Sequence, residues 1–328
     1  MPMRRRILLA AAPGLAAPAL LRRRAAAQDA SYPSRPITLV NPYPPGGATD
    51  FGARLVAARM EPELGQSIVI ENRPGAGTAV ANAYVAGLRP DGYTLLMGTT
   101  SLAVLPALQP NAQPRDPRRA FTPIGTATRS PYILHLHPDV PARTTAEVIA
   151  YAKANPGKLS WGSSGIGAVN HMTLELFRSR AGIDVVHVPY RGGAQALLDI
   201  QTGRIQAMFA AVQEAVVSVR EGKTRGVAVT SARPLVIFPD LPPVAEALPG
   251  FETVFWQGLF GPAGLPAAVI AKLEAALRVA TEDATVRDRM AEQGVEAWPG
   301  DAELLRQTLA NDTEMWGRVI REANIRVE

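Results

Sequence analysis

Two glycine-rich turns hold the residues best suited to chemistry in this chain: Pro42-Tyr43-Pro44-Pro45-Gly46-Gly47-Ala48-Thr49-Asp50 and Gly162-Ser163-Ser164-Gly165-Ile166-Gly167. Each leads into a segment of helical period. Each therefore pairs free backbone N–H groups with the positive end of a helix dipole, where an anion is desolvated at least cost. Two such turns, far apart in sequence, predict two jaws closing on one small anion. Gly46 and Gly47 also suit a plain strand-to-helix turn. Asp50 reads as a helix cap rather than a ligand residue, because its carboxylate complements first-turn amides and would repel an anionic solute.

Ser163 and Ser164, with His171 close by in sequence, raise nucleophilic catalysis. The G-x-S-x-G elbow is not met, since Ile166 lies two residues after Ser164, and no acid is marked as an orienting third member. A hydroxyl donating to a carboxylate uses the same atoms with less machinery, so no catalytic residue is assigned. His135 and His137 share a strand face, yet only Asp139 stands near them, and His171 and His187 lack a ligand spacing. No metal is expected. Gly75-Ala76-Gly77 resembles a dinucleotide fingerprint, but Val80 occupies the third glycine position, so no cofactor is expected either. With no cysteine, disulfides, thiolate metal sites and a cysteine nucleophile are excluded.

The elements that must position these turns alternate. Ile37 to Val40 precedes a helical Asp50 to Leu64; Ser67 to Glu71 precedes Thr78 to Leu88; Tyr93 to Met97 precedes a loop. This is the pattern of β-α-β units with a largely parallel sheet. Ile124 to His137 reads as extended and leads to a helix from Thr145 to Ala154, capped by Thr144 or Thr145. Strand and helix candidates alternate again from Leu159 to Ala210, and Arg225 to Thr230 is a further strand. Helices follow at Pro266 to Thr281, Ala284 to Gln293 and Asp301 to Ala323, and need a sheet to pack on, for which the first domain is nearest. The chain is expected to cross to a second domain near 127 and return near 231, two crossings that make a hinge. Domain 1 is then 28–127 with 231–328, and domain 2 is 128–230.

Residues 1–27 read as an export signal: Arg4-Arg5-Arg6, an apolar run from Ile7 to Leu21, and Ala25-Ala26-Ala27 at the cut. The arginine pair followed by Ile7-Leu8 resembles a twin-arginine signal, with an ordinary secretory signal as the alternative. This segment carries six arginines and no acid, so its removal takes the formal charge from +5 to −1. The basic character belongs to the address label, and a nucleic-acid partner loses its support. The 28 glycines and 29 prolines mark turns rather than disorder, because apolar segments recur throughout.

A resemblance then carries further. The stretches YPSRPITLVNPYPPGGATDFGARLVA, VIENRPGAG, RPDGYTLL, FTPIG, HPDVPARTTAEVIAYAKANPGKLSWGSSGIG with His171, HVPYRGGAQALLDIQTGRIQAMF, GVAVTSARP and WQGLFGPAGLP, in this order, resemble the Bug family. These are periplasmic solute-binding receptors of tripartite tricarboxylate transporters. The resemblance implies an α/β two-domain clamshell of the periplasmic-binding-protein type (type II-like), each domain a mainly parallel sheet flanked by helices. It implies a small carboxylate in the cleft, membrane permease subunits as partners, and no catalysis. Matched residue by residue, the ligand-binding set is Pro44, Pro45, Gly46, Gly47, Ala48 and Thr49 in the first loop, Ser163, Ser164, Gly165, Gly167 and His171 in the second, and Tyr190 and Gly192 in a third, where Arg191 either meets a second carboxylate or sits on the surface.

Departures bear on the solute. Ala168 stands where a small hydroxyl residue is frequent. Ala210 and Ala211 follow Met208-Phe209 where some members place an acid for a ligand amine, which speaks against an amino acid. Leu105 and Pro243 replace a frequent asparagine and threonine, implying a more apolar wall and making an aromatic or aliphatic monocarboxylate at least as suitable as citrate. Trp256 lines the cleft or hinge, or belongs to the core. The competing readings are a periplasmic hydrolase using Ser164 and His171 on a carboxylated ester, and a sensory subunit. A monomer is expected, since a clamshell needs both jaws free.

Overall fold

The structure, a computed structural model, describes residues 32–323 and residue 325; the export segment read at 1–27 lies outside the described residues. Ten strands run in chain order: β1 (Ile37–Asn41), β2 (Ile68–Asn72), β3 (Thr94–Thr99), β4 (Phe121–Leu136), β5 (Ser160–Ser163), β6 (Val186–Pro189), β7 (Ala207–Ala211), β8 (Arg225–Val229), β9 (Val254–Pro262) and β10 (Glu296–Gly300). The helices are α1 (Ala48–Leu64), α2 (Ala79–Ala86), α3 (Ser101–Leu108), α4 (Pro117–Ala120), α5 (Thr145–Ala154), α6 (Val169–Ala181), α7 (Gly193–Gln201), α8 (Val212–Arg220), α9 (Ala267–Glu282), α10 (Ala284–Glu292) and α11 (Ala302–Glu322).

One long strand divides the molecule. From Phe121 to Pro131, β4 pairs with β9, which continues to β3, β1 and β2; from Tyr132 to Leu136 it pairs instead with β7 and β8, and β7 continues to β5 and β6. The first lobe thus has β2-β1-β3 in parallel, and the second has β6-β5-β7 in parallel. The ladders that meet β4 are antiparallel, because β9 carries the chain back into the first lobe. The return segment is tied to the outgoing strand: Tyr132 N–H donates to Thr230 Oγ1 at 2.8 Å, Thr230 N–H donates to the Tyr132 carbonyl at 2.9 Å, and Thr230 Oγ1 donates to the Thr253 carbonyl at 2.7 Å.

Local chemistry accounts for the helix ends. Thr144 caps α5 by accepting Glu147 N–H, while Glu147 reaches back to Arg143 N–H at 2.6 Å, a reciprocal arrangement that satisfies two orphan donors. Asp283 and Asp301 cap α10 and α11 by accepting Val286 N–H and Leu304 N–H. Gly65 and Gly182 close α1 and α6 in the left-handed region, with φ of 66° and 61°. The C-terminal helices pack on the first lobe as expected: Leu273, Ala276 and Leu277 of α9 share a core with Val56, Ala57 and Met60 of α1, and Leu305, Leu309 and Trp316 of α11 join Leu102 and Phe260.

The structure differs from the sequence reading at α3, α4, α8, β9 and β10. The stretch after Met97, read as a loop, contains α3, whose Pro106 lies within the helix and disguises it. The strand β9, to which the sequence reading assigned no element, passes through Gly258, Gly261 and Pro262; a Cβ at Gly258 would stand 2.6 Å from Leu305 Cδ1, so the missing side chain makes room for α11. Helix α8, continuous with β7, had no signal of its own.

Candidate functional site

The first turn follows β1 directly. Gly46 has φ of 81°, a conformation glycine adopts without strain, and α1 then begins at Ala48 with Gly47 as its cap residue. The first helical bond runs from Phe51 N–H to the Gly47 carbonyl, so the amides of Ala48, Thr49 and Asp50 face out of the helix end. Asp50 organises the turn and does not line the cavity described below. Its Oδ2 accepts Gly46 N–H at 3.1 Å and Arg54 Nε at 2.7 Å, and its Oδ1 accepts Asn72 Nδ2 at 3.0 Å and Asn41 Nδ2 at 3.3 Å. Burial pushes this carboxyl up, but the hydrogen bonds from Arg54, Asn72 and Gly46 outweigh it and hold the acid below its usual range. The expected cap thus grips the preceding loop rather than the first-turn amides.

The second turn follows β5. Ser164 N–H donates to Asn170 Oδ1 at 3.1 Å, and Asn170 Nδ2 donates to Ser164 Oγ at 3.0 Å. Gly165 and Gly167 have φ of 123° and 83°, and Gly167 N–H donates to His171 Nδ1 at 3.2 Å. Ser163 is fully buried and lies 2.7 Å from His187 Nε2, with His187 stacked on His171 at 4.2 Å between ring centres. Burial pushes His171 down to about 3 and His187 to about 4, so both rings are neutral near pH 7. The serine and histidine singled out for a hydrolase are therefore apart in role. Ser164 has an amide as its partner, which is no base, and the serine that touches a histidine is sealed away from the cleft.

Between the lobes lies a cavity of 180 Å³ where helix starts converge. The first lobe contributes Tyr43, Pro44, Pro45, Gly47, Ala48 and Thr49. From the second lobe come Ser164 with Ala168 to Asn170 at the start of α6, Gly192 to Gln195 at the start of α7, and Ala211 and Glu214 at the start of α8. Tyr132 and Phe255 complete the wall from the crossing segments. Of the residues expected from sequence, Pro44, Pro45, Gly47, Ala48, Thr49, Ser164 and Gly192 face this cavity. Gly165 and Tyr190 face an adjoining cavity of 460 Å³ with Arg191, and the two spaces share Tyr43 and Ser164. Tyr190 donates its hydroxyl to Asp199 Oδ2 at 2.8 Å. Gly46, Ser163, Gly167 and His171 shape the loops from behind.

Leu105 and Pro243, expected to make the wall apolar, stand outside it, and Trp256 is a core residue whose Nε1 donates to Asp312 Oδ2 at 2.6 Å. His135 is buried against Thr224, and His137 follows the end of β4 beside Asp139. A larger cavity of 790 Å³ opens near the hinge, bounded by Arg129, Arg233, Glu252 and Asp288, away from both turns.

One residue at the site had no sequence signal. Glu214, in the first turn of α8, reaches across the cleft so that Oε1 accepts Ala48 N–H at 3.0 Å. Burial pushes its carboxyl up to about 7, against the pull of that hydrogen bond. Its position in the first turn after β7 would draw notice only if α8 were recognised as starting at the cleft.

The chain is similar to three solved structures over most of its length. The periplasmic binding protein BugD matches at a TM-score of 0.86 and 31% identity, over 90% of this chain and 100% of that one. Rpa4515 of R. palustris, solved with adipate, matches at 0.86 and 32%, over 90% and 99%. MatC of Rhodopseudomonas palustris, solved with bound malate, matches at 0.85 and 33%, over 88% and 100%. The family model described as the tripartite tricarboxylate transporter family receptor, TctC, matches residues 52–325. A two-lobed α/β fold with helix starts facing one cleft, and a family match over most of the chain, lead to one conclusion: this protein belongs to the TctC family of tripartite tricarboxylate transporter receptors, as the Bug-type resemblance of its loops implied.

Proposed function

We propose that this receptor captures a small carboxylate between its lobes in the periplasm and delivers it to the membrane subunits of a tripartite tricarboxylate transporter. The observation that carries the reading is the convergence of helix starts from both lobes on one cavity whose wall, among the described residues, has no lysine, arginine or histidine. Backbone amides and helix dipoles are then the means of holding an anion. Malate and adipate in two relatives support this class of solute. The direct contacts are Pro44 to Thr49 without Gly46, Ser164 and Gly192; Gly46, Ser163, Gly165, Gly167, His171 and Tyr190 hold the loops in shape. The lobes are 28–127 with 231–328, and 128–230, joined at the tied crossings around Tyr132 and Thr230. The protein works as an exported monomer without catalysis, and a solute touching both lobes favours the shut form.

Thermal unfolding against mono-, di- and tricarboxylates and their amides tests the reading. A carboxylate at 100 times its Kd should stabilise the fold by about 2.7 kcal/mol, a rise of several degrees, while its amide does not. No response to any carboxylate by folded, solute-free protein would end the carboxylate assignment.

A further inference from the structure

Glu214 is the single charged residue in the wall of the cavity between the described lobes. An acid in a first helical turn complements its own helix dipole, and α8 alone would explain its presence. Its geometry goes further. Oε1 leaves that helix end and accepts Ala48 N–H from the opposite lobe. Two residues without side chains keep space for the carboxylate: a Cβ at Gly193 would fall on it, and one at Gly47 would stand 3.2 Å from Oε1. Tyr43 and Tyr132, the other titratable groups of the wall, are buried and kept neutral, so neither offsets the charge.

A carboxylate bound at the remaining helix-start amides of α1, α6 and α7 therefore lies beside an acid with no cation to balance it. An amine-free aliphatic acid would leave that charge unpaired or require Glu214 to take up a proton, costs that an ammonium avoids. An ammonium group next to the solute carboxylate would pair with Glu214 through a charge-assisted hydrogen bond and relieve the burial that raises its carboxyl. Ala210 and Ala211, where an acid for an amine was missed in the sequence, are small, and Ala211 shares the wall that Glu214 enters from the first turn of α8.

We infer that Glu214 is a specificity-determining residue that selects a zwitterionic solute, a carboxylate bearing a neighbouring ammonium, over the same carboxylate without the amine. This rests on the carboxylate-receptor reading. Isothermal titration of the wild type, Glu214→Gln and Glu214→Ser with the pairs alanine and propionate, aspartate and succinate, and glutamate and glutarate tests it. The wild type should bind the amino member of at least one pair about ten- to a hundredfold more tightly. Both variants should lose that preference, chiefly by weaker binding of the amino member. Equal or tighter wild-type binding of the amine-free members, or a preference that survives in both variants, overturns the role of Glu214 and leaves the carboxylate reading intact. Binding of no member of any pair or of the wider carboxylate panel by folded wild type overturns both. If one variant does not fold, the other decides.

Discussion

Glu214 gives the empty receptor a pH dependence whose sign follows from its burial. Its carboxyl titrates at about 7 in the folded protein against about 4.5 when free, so the folded state holds the proton more tightly. The stability that Glu214 contributes is fully present below about 4.5 and is lost as pH rises through about 7. His171 and His187 work in the opposite direction, since they are kept neutral by burial and must be protonated as the chain unfolds in acid. The difference between Glu214→Gln and wild type isolates the acid. In thermal unfolding without ligand, the variant should gain on the wild type between pH 5 and 8 by roughly 2 to 3 kcal/mol. A constant gap across that range would mean that the carboxyl is not strained by burial.

At the scale of elements, the binding loop is a product of how α1 starts. Asp50 gathers Gly46 N–H, Arg54, Asn41 and Asn72, so the loop, its helix and the ends of β1 and β2 share one acceptor. Asp50→Ala should lower the unfolding free energy by about 2 to 4 kcal/mol, because buried donors lose their partner, and chemical denaturation measures it. Affinity should fall too, although Asp50 does not line the cavity. The helices were legible where short-range chemistry ends them: Thr144, Asp283 and Asp301 at starts, Gly65 and Gly182 at finishes. The helix α3 and the strand β9 were not, since Pro106, Gly258, Gly261 and Pro262 argue locally for turns. Their conformation is settled by packing, with α11 seated over Gly258.

At the scale of the whole molecule, the lobes approach each other through backbone. Gly77, at φ of 61° in the first lobe, meets the second lobe so closely that a Cβ there would land on the carbonyl oxygen of Ile166. Gly77→Ala costs about 1 kcal/mol in a left-handed conformation whether the lobes are open or shut, but the collision exists only when they are shut. The variant should therefore bind a carboxylate about tenfold more weakly or worse with a small change in melting temperature, and small-angle scattering should show it expanded in the presence of ligand. Affinity equal to wild type would mean that the shut arrangement is not the binding form.

The sequence by itself determined the two glycine-rich turns that lead into helices, the alternation of strands and helices, the absence of cysteine chemistry and the family, because these depend on glycine placement, periodicity and local order. Tertiary structure alone decided which amides share a cavity, that Ser163 and His171 stand behind the loop while Ser164 and Gly192 face the space, and that Glu214 crosses to Ala48, 166 residues away. Such a contact has no period and no spacing. It arises where two lobes close, and the electrostatics of the cleft are set there.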